Sequence, residues 1–124
     1  MDTLKIDGSA KTPTITLSPD GELVLEGRSI PENSIDFYRP VMDWLAEYTK
    51  APRPTTHLKV RLEYFNTSSS KCILDLFKRL DAVSKAGSSV SIQWYYHADD
   101  EDMLEAGEDY REIIKIPFEL VPYE

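Results

Sequence analysis

His57-Leu58-Lys59-Val60-Arg61-Leu62-Glu63-Tyr64-Phe65-Asn66-Thr67-Ser68-Ser69-Ser70-Lys71-Cys72-Ile73 contains the change of period that decides the fold. Up to Tyr64 the apolar residues fall on every second position: Leu58, Val60, Leu62 and Tyr64 on one side, Lys59, Arg61 and Glu63 on the other. That is the pattern of a half-buried strand. Beyond the Asn-Thr-Ser-Ser-Ser run the period lengthens. Ile73, Leu76, Phe77, Leu80 and Val83 recur at helical spacing, and Gly87 suits the position just past the helix end. A strand followed at once by an amphipathic helix is the repeating unit of an α/β sheet.

The same signals extend in both directions. Val90, Ile92, Trp94 and Tyr96 alternate and predict a second strand. Thr12 to Gly27 reads as a hairpin, with Pro19-Asp20-Gly21 as its turn. Ser29-Ile30-Pro31-Glu32 fits a capping box for the helix marked by Tyr38, Val41, Met42, Leu45 and Tyr48. Pro40 sets that helix to start near Phe37 or to kink, and Pro52 and Pro54 end it. Asp99 to about Glu112 reads as a helix despite Gly107. Ile113 to Val121 reads as a last strand, with Pro117 marking an edge or a bulge. The order is ββαβαβαβ over residues 1–124, one α/β domain with a mixed sheet and helices mainly on one face. Leu58, Val60, Leu62, Ile92 and Trp94 are expected to pack against Val41, Leu45, Ile73, Phe77 and Leu80.

A chain of 124 residues supports one core rather than two. Its net charge of −8 argues against a duplex nucleic-acid partner, which needs a basic footprint. The charge is unevenly placed. Residues 1–90 hold 12 acids and 12 bases, and residues 91–124 hold 10 acids and 2 bases. Seven of those acids lie between Asp99 and Asp109, as a solvated helix face or as a docking surface for a basic partner. Calcium-loop spacing is missing there. One cysteine, Cys72, gives no internal disulfide. No apolar run has the length of a membrane span or a signal peptide, so a cytoplasmic protein without direct membrane insertion is expected.

Asn66 to Ser70 lies where ligands gather in open α/β sheets, outside the carboxyl end of a strand. The helix behind it presents unpaired N–H groups and partial positive charge. A hydroxyl there is suited to phosphorylation; alternatively, Asn66 or Thr67 is only a helix cap and the serines are polar filler. Catalysis finds weaker support. Ser68, His97 and Asp99 supply hydrolase residue types, which leaves a small enzyme using the strand-end cleft near Ser68 and His97 as the alternative. No G-x-S-x-G surrounds the serine, however. His57 and His97 read as strand-end residues, and with Cys72 they show no zinc spacing. No Gly-rich phosphate loop is present, and no cofactor or metal is expected.

The stretch Tyr64-Phe65-Asn66-Thr67-Ser68-Ser69-Ser70-Lys71, with Pro31-Glu32-Asn33-Ser34 and Gln93-Trp94-Tyr95-Tyr96, resembles the SiaC family of bacterial regulatory phosphoproteins. The resemblance runs from the hairpin to Ile116-Pro117-Phe118. It implies a STAS-like partner-switching protein, not itself an enzyme, with Thr67 as phosphoacceptor. It also implies a threonine kinase, a PP2C-type phosphatase and a diguanylate cyclase as partners, and through them cyclic di-GMP and biofilm control. Partner contacts are expected at Asn66, Ser68, Ser69 and Lys71, with Glu32 and Asn33 framing the acceptor if the two strand–helix turns share one end of the sheet.

Overall fold

The computed structural model describes all 124 residues. Nine elements follow in chain order: β1 (Leu4–Ile6), β2 (Thr14–Leu17), β3 (Glu22–Ser29), α1 (Ser34–Lys50), β4 (Thr55–Phe65), α2 (Thr67–Lys85), β5 (Ser89–His97), α3 (Glu101–Ile113) and β6 (Phe118–Tyr123). They form one six-stranded sheet whose strand order is the chain order. β1, β2 and β3 pair antiparallel; β3 through β6 pair parallel. Each parallel step is a crossover in the same direction, and crossovers of one hand put their helices on one face. The α/β class and the expected strand–helix order hold, with one strand added at the N-terminus.

All ten residues expected to build the core are buried within a single apolar cluster. The other face of the sheet is uncovered and polar. There His57 bridges strands, its Nδ1 2.7 Å from Ser91 Oγ and its Nε2 2.9 Å from Gln93 Oε1. His57 is thus an internal strand residue with both ring nitrogens engaged.

Five local expectations are corrected. β1 escapes the sequence pattern because three residues are too few to show a period. It is held by pairing Leu4 with Leu17 and Ile6 with Ile15, and by the Trp44 indole donating to the Asp2 carbonyl at 2.9 Å. Ser29 and Glu32 do not form a capping box. Ser29 is the buried end of β3, and Asn33 caps α1 by accepting from the Asp36 N–H at 3.2 Å. α1 therefore starts at Ser34 and runs through Pro40. The helix-interior penalty for proline, about 3 kcal/mol, is offset by burying Tyr38, Val41, Trp44, Leu45 and Tyr48.

Tyr64 does not share the face of Leu62. Gly27 pairs with Leu62 but Arg28 pairs with Tyr64, so Glu63 is an extra residue in β4. This bulge turns Tyr64 outward, 57% exposed, and hands the inner position to Phe65, whose ring meets Trp94 edge-on at 6.0 Å. Finally, Ile113 ends α3 rather than opening a strand, and β6 begins at Phe118. Gly107 is tolerated inside α3 because a Cβ there would lie 2.6 Å from Trp94 Cδ1. Only a glycine lets the helix approach this closely.

Candidate functional site

Because β3 and β4 are parallel neighbours, the turns leading into α1 and α2 leave the sheet at the same end. Pro31-Glu32-Asn33-Ser34 therefore stands beside Asn66-Thr67-Ser68-Ser69, as the shared-end expectation required. The direct link is Ser34 Oγ to Ser68 Oγ at 2.7 Å.

The Asn-Thr-Ser-Ser-Ser run is not a loop. Asn66 is the cap of α2, and Thr67 through Ser70 are its first turn. Two features place the helix start here. The β3–β4 ladder, shifted by the bulge, closes with Ser29 opposite Phe65, and the Asn66 N–H donates to the Ser29 carbonyl at 3.0 Å, tying the cap to β3. Asn66 Oδ1 then accepts the Ser69 N–H at 2.8 Å and the Ser68 hydroxyl at 3.1 Å. Both of its lone-pair directions are used.

The four consecutive hydroxyls differ sharply. Ser69 is fully buried; its hydroxyl donates to the Ser29 carbonyl at 2.9 Å and accepts from Ser29 Oγ at 2.8 Å. Ser29 has thereby spent its one proton, so Tyr38 OH is the donor in their 2.6 Å contact. Burial pushes the Tyr38 phenol above its usual range, keeping that proton in place. Ser70 Oγ lies 3.0 Å from Tyr110 OH, which itself donates to the Ser70 carbonyl at 3.0 Å. Ser68 is exposed but bonded to Asn66 and Ser34. Thr67 is exposed, and its hydroxyl has no hydrogen-bond partner in the protein. Among the four, only Thr67 is both open to solvent and unengaged.

The remaining predicted residues fall around this turn unequally. Lys71 is exposed, four residues after Thr67 on the same helix, and enters no ion pair. Asn33 is exposed but occupied as the α1 cap, with its amide donating to Asp36 Oδ2 at 2.9 Å. Glu32 is exposed on the connecting turn. Ser69 faces the protein's interior, so it cannot touch a partner; its hydroxyl is needed to satisfy β3. The bonding roles of Ser29, Ser34, Tyr38 and Tyr110 are not in the sequence reading, which puts Ser29 in a capping box and Tyr38 on an apolar helix face. Ser29 had a readable signal, since it continues the inward parity of Leu23 and Leu25 and a polar residue there demands a buried partner.

The hydrolase arrangement does not assemble. The Asp99 N–H donates to His97 Nδ1 at 3.2 Å, while the Asp99 carboxylate is 3.9 Å from the same nitrogen. A nitrogen accepting from the backbone cannot present a proton for the carboxylate to orient. His97 lines an open groove with Arg61, Tyr64 and Tyr123, and Ser68 is not part of that lining. The Cys72 thiol is pushed up by burial and by Asp75, which disfavours the nucleophilic thiolate. No three His, Cys, Asp or Glu side chains converge in a metal-holding geometry. No helix is long and apolar enough to cross a membrane.

Residues 6–123 match the model of the SiaC family regulatory phosphoproteins. The chain is 34% identical over 119 residues to an uncharacterized protein of Pseudomonas aeruginosa (strain UCBPP-PA14), covering 95% of this chain and 94% of that one. Among solved structures, it is similar to apo-SiaC from Pseudomonas aeruginosa, with a TM-score of 0.88, 34% identity, and 98% and 99% of the two chains covered. It is also similar to a chain in the crystal structure of the diguanylate cyclase SiaD in complex with its activator SiaC, from the same organism. There the TM-score is 0.87 and the identity 33%, over 97% of this chain and 99% of that one.

Proposed function

Since the chain belongs to the SiaC family of regulatory phosphoproteins, we propose that it is a phosphorylation-controlled switch which, unmodified at Thr67, binds and regulates a diguanylate cyclase. A threonine kinase adds the phosphate and a PP2C-type phosphatase removes it. The chain contributes no catalysis of its own and acts as one domain. The proposal puts it in the cytoplasm, where the nucleotides of kinase and cyclase are found, and links it to cyclic di-GMP and biofilm control. The cyclase–activator complex of its Pseudomonas relative supports the choice of partner.

The observation that carries the proposal is the free Thr67 hydroxyl beside three engaged ones. A phosphate there brings about −1.5 to −2 charge and three acceptor oxygens. At the first residue of α2 the charge is favoured by the helix dipole, by roughly 0.3–1 kcal/mol. Lys71, one turn further on, adds an exposed cation on the same face of the helix. No internal bond has to break, so the fold survives modification. The partner fares differently. A surface that seals over Asn66, Thr67 and Ser68, framed by Glu32, Asn33 and Lys71, would have to bury an unpaired dianion, which is costly.

Calorimetric titration of the cyclase with unmodified and Thr67-phosphorylated protein tests this directly. Tight binding of the first and weak or absent binding of the second is expected. Equal affinities would overturn the switch.

A further inference from the structure

We infer that Ser34, the first residue of α1, determines which hydroxyl of the α2 turn accepts phosphate, by shielding Ser68. This rests on the reading of Thr67 as the acceptor and asks why its neighbour is passed over. Thr67 and Ser68 are adjacent, both exposed, and both carry a hydroxyl. Exposure alone does not separate them.

Their bonding does. In phosphoryl transfer an oxygen lone pair forms the new O–P bond, and the terminal P–O bond of a nucleoside triphosphate breaks. The nucleoside diphosphate leaves, and the hydroxyl proton passes to the kinase's base. The acceptor must therefore offer a free lone pair and a releasable proton. Ser68 has its proton and one of its two lone pairs engaged, whereas Thr67 has all three free. The Ser68 proton is donated to Asn66 Oδ1 at 3.1 Å. With that proton spent, the 2.7 Å contact to Ser34 can only be a bond donated by Ser34 into a Ser68 lone pair. Ser34 has no better use for its proton. Its other hydroxyl neighbour, Ser69 Oγ, is 3.4 Å away and already accepts from Ser29. Ser34 is itself buried, so water does not readily replace it.

Asn66 cannot be the discriminating residue alone, because it holds only the proton and also caps the helix. Ser34 occupies one Ser68 lone pair and makes no hydrogen bond with Thr67. It is a positioning residue, and it comes from a different helix than the acceptor. The family's Asn-Thr-Ser-Ser motif in α2 is thus read together with a serine that only the fold brings to it.

The test uses a threonine kinase that modifies the unaltered chain, with ATP, and site-localised mass spectrometry. The parent is expected to carry phosphate on Thr67. In Ser34→Ala the ratio of Ser68 to Thr67 phosphate should rise at least tenfold. Ser34→Gly, which also lacks the hydroxyl, should match it, and Ser34→Thr, which keeps the hydroxyl, should restore the parent's ratio. An unchanged ratio in both hydroxyl-less variants overturns the inference. A kinase-independent measurement separates this failure from that of the acceptor assignment. Exchange of the Ser68 hydroxyl proton, followed by the deuterium isotope shift on its Cβ, should quicken at least tenfold in Ser34→Ala. If the parent is modified elsewhere than Thr67, the switch reading falls, and the exchange rate still decides the shielding. No acceleration refutes it.

Discussion

Tyr110 on α3 donates its hydroxyl proton to the Ser70 carbonyl in the first turn of α2, at 3.0 Å, and receives the Ser70 hydroxyl in return. The carbonyl and hydroxyl of one residue on α2 are thus read by a single phenol on another helix. Together with Ser34 from α1 and Ser29 from β3, this contact holds the turn from three sides. Thr67 sits on the one side left open.

Thr67→Ala should bind the cyclase constitutively, and Thr67→Asp should bind weakly or not at all. Both should fold like the parent, with stability within about 0.5 kcal/mol, because an exposed and unbonded side chain carries little of the fold. Paired calorimetry and urea titration check the two halves. A Thr67→Asp protein that binds as tightly as Thr67→Ala contradicts the charge mechanism.

Asn66→Ala removes the α2 cap and leaves the Ser69 N–H without its acceptor. A loss of about 0.5–2 kcal/mol in urea unfolding is expected. A loss under 0.3 kcal/mol would show that water serves the first turn equally well.

In the core, Leu62→Ala or Leu80→Ala should cost about 2–5 kcal/mol, since both are buried in the single cluster. Gly107→Ala should also destabilise, by about 1–3 kcal/mol, although alanine is the better helix former. The new methyl would press on the Trp94 indole and Leu120, so tryptophan emission should shift with it. A stabilised Gly107→Ala would mean that α3 can lift off the sheet without penalty.

Stability should fall as pH rises past 10. Burial raises the phenols of Tyr38 and Tyr110 above their ordinary value of 10.0 in the folded state. The unfolded chain loses those protons first, so it binds fewer protons than the native state and gains on it as pH climbs. The contribution is complete below about pH 10 and is lost progressively above it. Urea midpoints at pH 8, 10 and 11 measure the slope. It should be shallower in Tyr38→Phe, and a flat profile would contradict it.

The acidic start of α3 leaves the sheet at the same end as Thr67, because β4 and β5 are parallel. If it steers a basic partner surface, Asp100→Asn, Glu101→Gln and Asp102→Asn together should slow association mainly at low salt. Asparagine at position 100 keeps a side-chain acceptor for the Met103 N–H, so the cap survives the change. Stopped-flow rates that do not depend on ionic strength would reduce the segment to a solubilising face.

Strand and helix periods made the sheet and its buried face legible, since alternation in β4 and β5 and the helical spacing in α2 each point at one core. Alternation misplaces Tyr64 because parity holds only while the ladder is regular, and the extra Glu63 shifts it by one. The start of α1 is hidden because Ser29 looks like a cap in sequence but is held by Tyr38 and by Ser69, 40 residues away. Thr67 could be marked by motif and by its place after a strand. What distinguishes it from Ser68 could not, because the discriminating contact comes from another helix.

The agreement of strand order with chain order bears on how the protein is made. Each strand from β2 onward lies beside the one that precedes it in sequence, as where Leu25 meets Val60 and Val60 meets Trp94. During synthesis every emerging strand finds its neighbour already present, and no pairing waits for a distant segment. Such a chain can assemble by successive addition on the ribosome, with modest loop closure at each step. β6 is an edge strand of the sheet and carries Pro122, which blunts pairing with another molecule.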